Sequence, residues 1–487
     1  MADVEKNCWL VANAREPFAG LMRQFADLRG VPVRFSPPDG GRLPPFLSTP
    51  GNLIAISADS FERLGAPERE RVRCSVEGGA TLYLRGFEPG RYYTLLPFTE
   101  SRFFVSLERS WSGYHLSADR AIPSVLQNES SDAQVELPVS DLSATPAAAL
   151  LSARSTTGKE AVSIFAFRYG EGLAIYDLVP SGSVDDEPIL FRFTDAAKRC
   201  ANLGPLIAID SATGRGGRRP TSFNLVIDDR PADFDYFSCS RLSRFLSHLE
   251  AHFPGVHLDF AWTPNQGHPS HRYISTLKAF NCGFVWHGAL QHIDHNKIDS
   301  LTKEFATGKS AVRALSRRFG ITFQPIMIFP FESSNYAVLS HLLREGFLAT
   351  VEGSAARPDF EKRLPGHLRY STPVLNVGEG FVPILRRYPM KKLTRQMMLA
   401  LATLGYPIIA AAHPGNVLLR RFAHSGKRGE LIRHFDSLLD FATEKGLRPS
   451  SLEQIAASLS SSLQSCSNES EAVDFASGSL THELRSA

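Results

Sequence analysis

With 487 residues, 43% of them apolar and 21% charged, the chain is long enough for two or three domains and has the composition of a folded protein, not a disordered one. Its net charge of +3 makes no electrostatic case for nucleic acid or a membrane surface as a partner. No apolar run approaches the roughly 20 residues that span a bilayer. The start, Met1 to Leu10, carries two early acids and no apolar h-region, so a cytoplasmic protein without a membrane span is expected. The six cysteines (Cys8, Cys74, Cys200, Cys239, Cys282, Cys466) form no C-x-x-C pair. Scattered thiols of this kind suit a reducing compartment and offer no thiolate zinc site, so a metal here has to be held by His and Asp.

In chain order, Cys8 to Ala12 reads as a short strand and Pro17 to Leu28 as a helix with Phe18, Leu21, Met22, Phe25 and Leu28 on one face. Val31 to Phe35 and Asn52 to Ser57 read as strands. A helix around Ala66 to Val76 leads through Gly78-Gly79 to a strand at Thr81 to Leu84. This alternation predicts a parallel-sheet α/β layer, and no G-x-G-x-x-G follows its first strand, so a dinucleotide is not indicated. From Arg91 to Val179 the pattern changes to short β runs. The last two, Val162 to Phe167 and Leu173 to Leu178, are joined as a hairpin through Arg168 to Gly172. Ser140 to Ser155, rich in Ala and Ser, reads as a connection. A helix from about Pro188 to Leu203 and a strand at Leu206 to Ile209 return to the sheet. The run Phe167 to Gly182 resembles the closing hairpin of glutamine-amidotransferase-like domains, with no nucleophile-elbow cysteine to go with it. Residues 1–210 are therefore expected to form a non-catalytic accessory α/β domain with a β-rich insertion.

Residues 211–219, with Arg215, Arg218 and Arg219, read as a solvated linker. The Ser-rich end, 457–487, lacks sustained periodicity and is expected to be disordered. Between them, 220–456 alternates strands and helices: Phe223 to Ile227, Ser240 to His252, Leu258 to Trp262, Tyr273 to Phe280, Gly283 to Trp286, Ala311 to Phe319, Pro325 to Pro330, Asn335 to Glu345, Ile408 to Ala412 and Gly429 to Lys445. That repeat predicts a (β/α) barrel, complete or incomplete, with its strand ends gathered at one rim.

The first of these strands delivers Asp228 and Asp229 to its C-terminal end and is stopped by Pro231. Neighbours on an extended chain point to opposite sides, so two adjacent carboxylates can take different tasks, one at a metal and one at a water. In isolation, such a pair is by default a cap for the next segment. Asp233 and Asp235 extend the acidic cluster, but the Gly and terminal Glu of a calcium loop are missing. His287, His292 and His295 fall within nine residues after another strand, and His413 follows the last one.

Taken in order, these motifs resemble the polysaccharide deacetylases, carbohydrate esterase family 4, over roughly residues 220–456. The strand ending in Asp-Asp is matched by Val226-Ile227-Asp228-Asp229, and the metal-histidine pair by His287 with His292. The Pro-aromatic turn is matched by Ile328-Phe329-Pro330-Phe331, and the apolar strand ending in His by Ile408 to Ala412 with His413-Pro414. The resemblance implies a (β/α) barrel of the deacetylase type and a metal-dependent hydrolase of amide bonds acting on an N-acetylated sugar or glycan. It implies Asp229, His287 and His292 as ligands of a divalent metal, usually zinc in this family. Asp228 becomes the general base on the attacking water and His413 the general acid for the leaving amine. Pro330, Phe331 and Arg387 are candidates for binding substrate. The chemistry is coherent by itself: two His and one Asp make an open zinc site that lowers the pKa of water to about 7, and an amine leaves only once protonated.

The sequence departs from the family at three places. Arg230 replaces the usual glycine. The histidine pair is five residues apart where four is usual, so His295 or Asp294 is a substitute ligand. The arginine expected before the Pro-aromatic turn is absent, leaving Arg386 or Arg387 to replace it. Two other readings stay open: the same metal site acting on a small non-sugar amide, and a degenerate barrel that binds carbohydrate or a partner without catalysis.

Overall fold

The computed structural model describes residues 7–12, 16–36, 50–94, 102–107, 111–140, 147–180, 187–214, 221–228, 239–265, 270–290, 301–330, 335–353, 367, 374–376, 381–413 and 427–467. They divide into two units, one drawn chiefly from Met1–Arg219 and the other from Pro220 onward.

The first unit is built on a nine-stranded mixed sheet. Its parallel half comprises β1 (Cys8–Val11), β2 (Val33–Ser36), β3 (Leu53–Ser57) and β4 (Thr81–Arg85), connected through α1 (Pro17–Arg29) and α2 (Ala66–Glu77). Its antiparallel half comprises β5 (Gly113–Leu116), β6 (Ser130–Ser131), β7 (Ala148–Arg154), β8 (Glu160–Tyr169) and β9 (Gly172–Asp177), and the order across the sheet is β2-β1-β3-β4-β9-β8-β7-β5-β6. The halves join at β9, parallel to β4 and antiparallel to β8. Gly170 makes the β8–β9 turn with φ of +57°, and a Cβ there would meet the Glu77 carbonyl, so only glycine fits. Strand β7 occupies part of the stretch expected to be a connection; its Leu150, Leu151 and Ala153 are buried in spite of the surrounding Ala and Ser.

A short helical turn (Ile189–Arg192) and then one long helix, α3 (Ala196–Thr213), replace the expected helix and strand at Pro188–Leu203 and Leu206–Ile209, and α3 continues through three residues assigned to the linker, Ser211 to Thr213. Gly204-Pro205 looks like a helix stop. Gly204 is instead a close-packing point: a Cβ there would collide with the Asp177 carboxylate. That carboxylate accepts from Arg85 Nη1 at 2.7 Å and from Tyr83 Oη at 2.6 Å, and Arg85 also donates to the Pro180 and Ala201 carbonyls. Burial pushes the Asp177 carboxyl up from its ordinary pKa, and Arg85 and Tyr83 hold against that.

The second unit is a closed barrel. Its strands are β10 (Ser222–Ile227), β11 (Leu258–Trp262), β12 (Cys282–His287), β13 (Phe323–Ile328), β14 (Ala349–Gly353), β15 (Phe381–Pro389) and β16 (Ile408–Ala412). All seven pair in parallel in the order β11-β12-β13-β14-β15-β16-β10, and β10 returns to β11 to complete the ring. The helices α4 (Cys239–His252), α5 (His271–Lys278), α6 (Leu301–Phe319), α7 (Tyr336–Arg344), α8 (Arg395–Thr403) and α9 (Lys427–Glu444) alternate with them. Strands β14 and β15 and helix α8 are additions to the sequence reading, and with them the ring is complete.

Period-two alternation sorts each strand into an inward and an outward row. The inner core is Val226, Ala261, Val285, Ile326, Ile328, Ala349, Val351, Leu385 and Ile409. Below it, the same rows carry Asn224, Asp259, Gly283 and Gln324 near the strand starts. Asp259, fully buried, accepts from Asn224 Nδ2 at 2.8 Å and from Gln324 Nε2. A Cβ at Gly283 would land on this pair.

The floor is closed by α10 (Leu452–Ser467). Its Leu452 N–H donates to Asp259 Oδ2 and its Glu453 N–H to Gln324 Oε1, both at 2.9 Å, which satisfies donors that a helix start leaves open. Leu452, Ile455, Ala456 and Leu459 then pack against the barrel core at i, i+3, i+4 and i+7. This helix corrects the expectation of a disordered end from residue 457: the Ser-rich composition concealed an apolar stripe that has the barrel floor to pack on. Residues 468–487 lie outside those described.

His257 Nε2 lies 3.0 Å from Asp259 Oδ1, and its Nδ1 lies 2.9 Å from Asn281 Oδ1. Desolvation opposes the charged imidazole, but the bonds to Asp259 and Asn281 outweigh it and raise its pKa. The sign follows: this contribution to stability is complete below the unfolded value of about 6.5 and is lost as pH rises through the raised folded value. Barrel unfolding followed against pH is expected to lose that increment in the wild type, whereas a His257→Gln variant should be flat across the same window.

Candidate active site

All seven strands run the same way, so their C-terminal ends form one rim, and the inward rows deliver side chains into its mouth. Asp228 continues the row of Asn224 and Val226. Its N–H donates to the Ala412 carbonyl at 2.8 Å, extending the β10–β16 pairing one residue beyond the strand. The carboxylate is buried, at 5% exposure. Oδ2 accepts directly from Arg387 Nη1; Oδ1 takes no hydrogen bond among the described residues and faces His287 Nδ1 at 3.5 Å.

His287 ends β12 and is buried. Its Nδ1 is 3.2 Å from the Ile328 carbonyl across the β12–β13 pair. A carbonyl only accepts, so Nδ1 carries a hydrogen. His413, exposed just after β16, is held the same way, with Nδ1 2.9 Å from the Asp228 carbonyl. Both rings are thus oriented by backbone at the strand ends, and one of those carbonyls belongs to Asp228.

Arg386 and Arg387 point to opposite sides of β15. Arg386, almost fully buried, donates to the Gly353 carbonyl at 3.4 Å. Arg387 enters the mouth and contacts Asp228. Burial pushes its guanidinium pKa down to about 10, which still leaves it charged at neutral pH, and the adjoining carboxylate favours the same state. Arg387, expected to bind substrate, donates through Nη1 to Asp228. Thr263, directly after β11, adds a fully buried Oγ1 that takes no hydrogen bond among the described residues. Sequence reading missed it, because a threonine closing a strand looks like ordinary β propensity.

The structure therefore brings together Asp228, His287, His413 and Arg387. Asp229, His292, Asp294, His295 and Phe331 lie outside the described residues, so of the expected metal set only His287 is placed. Pro330 and the adjoining Phe329 are buried. The one His-His-Asp group that the described residues bring within ligand distance is elsewhere, on α4 and α9.

The turn after His287 is tightly backed. Gly308, inside α6, lies so close that a Cβ would land on the Ala289 carbonyl oxygen. Alanine normally strengthens a helix, but a Gly308→Ala change is expected to cost about 1–3 kcal/mol here by overpacking. It should also displace residues 288–290, with the result visible as a shifted His287 imidazole resonance in NMR.

No family model matches the chain, and no curated protein does. Among solved structures, the chain is similar to a family 4 carbohydrate esterase from Streptomyces lividans in complex with acetate. The identity is 13% over 48% of this chain and 93% of that one, with a TM-score of 0.28. It is also similar to the chitin deacetylase of the fungal pathogen Colletotrichum lindemuthianum, at 15% identity over 47% of this chain and 85% of that one, TM-score 0.28. A β-galactosidase from Bacillus circulans sp. alkalophilus stands beside them, at 11% identity over 45% of this chain and 32% of that one, TM-score 0.24. At such scores, and with deacetylases and a galactosidase side by side, these likenesses carry no weight for the reaction. That question rests on the rim residues.

Proposed function

We propose that the barrel is a metal-dependent hydrolase of C–N bonds that removes an acetyl group from an N-acetylated sugar or glycan. The observation that carries this reading is the convergence of a buried carboxylate, Asp228, with His287, His413 and Arg387 in one barrel mouth. Asp228 is the general base: its Oδ1, unbonded among the described residues, is the acceptor for the proton of the attacking water. Arg387 fixes Asp228 through Oδ2 and keeps it ionised. His413, held through Nδ1, acts in its imidazolium form, whose Nε2–H is the acid that protonates the departing nitrogen.

The residues placed fit a metal. His287 donates through Nδ1 to a carbonyl, the outer bond that orients an imidazole for ligation through Nε2. His287 would hold the ion with Asp229 and His292, and zinc is the proposed metal. When bound, such an ion polarises the amide carbonyl and makes water more acidic.

One observation favours a second reading. A buried Arg–Asp pair can be purely structural, and the barrel would then be a carbohydrate-binding or partner-binding module. The experiment that separates them is acetate release from N-acetylglucosamine oligomers, with metal content measured on the same protein and on a His287→Ala variant. Zinc bound by the wild type, reduced in the variant, and accompanied by acetate release supports the deacetylase. Metal that is reduced in the variant, without acetate release, moves the substrate to another small amide. Absence of binding after metal has been offered back gives the binding-module reading the lead.

A further inference from the structure

Away from the rim, helices α4 and α9 face each other with paired side chains at helical spacing: His248 and His252 on α4, Asp436 and Asp440 on α9. The helices are packed together beneath this group, with Phe245 stacked on Phe435 and Thr443 Oγ1 donating to the His252 carbonyl at 2.8 Å. Residues four apart lie on one helix face, so each helix presents its pair to the other.

We propose that His248, His252 and Asp436 form a second divalent-metal site, of the class that takes Zn2+, bridging α4 and α9. Their ligand atoms all lie within 4.8 Å of one another. Asp436 Oδ1 is 2.7 Å from His248 Nε2 and 4.0 Å from His252 Nε2. Ligands at about 2.0–2.1 Å around a tetrahedral ion are separated by about 3.3 Å, a value between those two, so small side-chain adjustments admit the ion.

A second observation points the same way. Asp440 Oδ1 accepts from His252 Nδ1 at 2.8 Å, which fixes the tautomer and turns Nε2 toward Asp436; this carboxylate–histidine bond is the outer support typical of metal-ligating imidazoles. His252 is also the last residue of α4, where the exposed carbonyl end of the helix favours a cation. Two imidazoles and a carboxylate suit zinc better than calcium or magnesium, which take oxygen ligands. The side chains are partly exposed, at 40%, 30% and 20% for His248, His252 and Asp436, so the ion can enter without unfolding. Strand β10 precedes α4 and β16 precedes α9, and these two strands are neighbours in the ring. An ion here therefore tethers the helices on either side of the β10–β16 pairing, and this role is independent of the proposed hydrolysis.

The test uses the full chain stripped of metal and then titrated with Co2+ and Zn2+. The wild type should take up one more ion per chain than a His248→Gln, His252→Gln double variant, and a His287→Gln variant should retain that ion. Zinc should raise the thermal midpoint of the wild type more than that of the double variant. Asp440→Asn, which keeps all three ligands, should bind about 10- to 100-fold more weakly. Should the double variant misfold by circular dichroism, Asp436→Asn alone takes its place. Equal metal uptake and equal thermal shifts in wild type and ligand variants overturn the proposal and leave the group as two His–Asp hydrogen bonds.

Discussion

An Asp228→Asn variant is expected to lose about 100- to 10,000-fold in kcat for acetate release, the range associated with a positioned general base. Because Asp228 is also the partner of a buried guanidinium, the same change should destabilise the barrel by about 3–5 kcal/mol, the cost of leaving a buried charge uncompensated. The two effects separate in a cycle with Arg387→Met. The Asp228→Asn, Arg387→Met double variant removes both charges and should recover much of the stability, seen as the urea midpoint, without recovering kcat. If activity returns along with stability, Asp228 is a structural partner of Arg387 and the general-base assignment fails. If the double variant is no more stable than either single one, the pair is not coupled as its contact implies.

The second large effect is expected at the opposite end of the barrel. Asp259 receives Asn224 Nδ2, Gln324 Nε2, His257 and the first N–H of α10, so Asp259→Ala strands four groups at once. An unsatisfied buried polar group costs about 1–3 kcal/mol, and the loss here should reach at least about 3–5 kcal/mol. Because the chain has two units, the readout should be local: amides of α10 and β10 should lose hydrogen-exchange protection, with those of the first unit unchanged. Unchanged protection in α10 would show that apolar packing alone holds the floor.

What was legible in the sequence follows from the physics of each element. Strands β10 and β16 are apolar runs that end in chemistry-bearing residues, and both stood out; so did His287 after an apolar strand. Strand β15 did not, because Phe381 to Pro389 contains two prolines and two adjacent arginines, a pattern of an exposed edge. Its arginines are instead buried, each with a destination that only the closed ring supplies: the Gly353 carbonyl for Arg386 and Asp228 for Arg387. For the same reason, proximity along the chain could not reveal Arg387 as the partner of Asp228. Helix α3 was split into a helix and a strand on either side of Gly204-Pro205, where the glycine is there to admit Asp177. Helix α10 was hidden by its serine-rich composition, which masked the apolar stripe of Leu452, Ile455, Ala456 and Leu459. In each case a local rule gave way to a packing partner distant in sequence.

The pairing between β10 and β16 carries a kinetic consequence. It joins the first strand of the barrel to the last, pairing segments far apart along the chain. Contacts between segments so far apart along the chain raise the contact order and impose a large loop-closure entropy before any return, which slows folding. Asp228 lies on that long-range pairing, and its N–H acquires the Ala412 carbonyl only when the pairing forms. Refolding of the barrel should therefore be slow, and activity should return with its slowest phase.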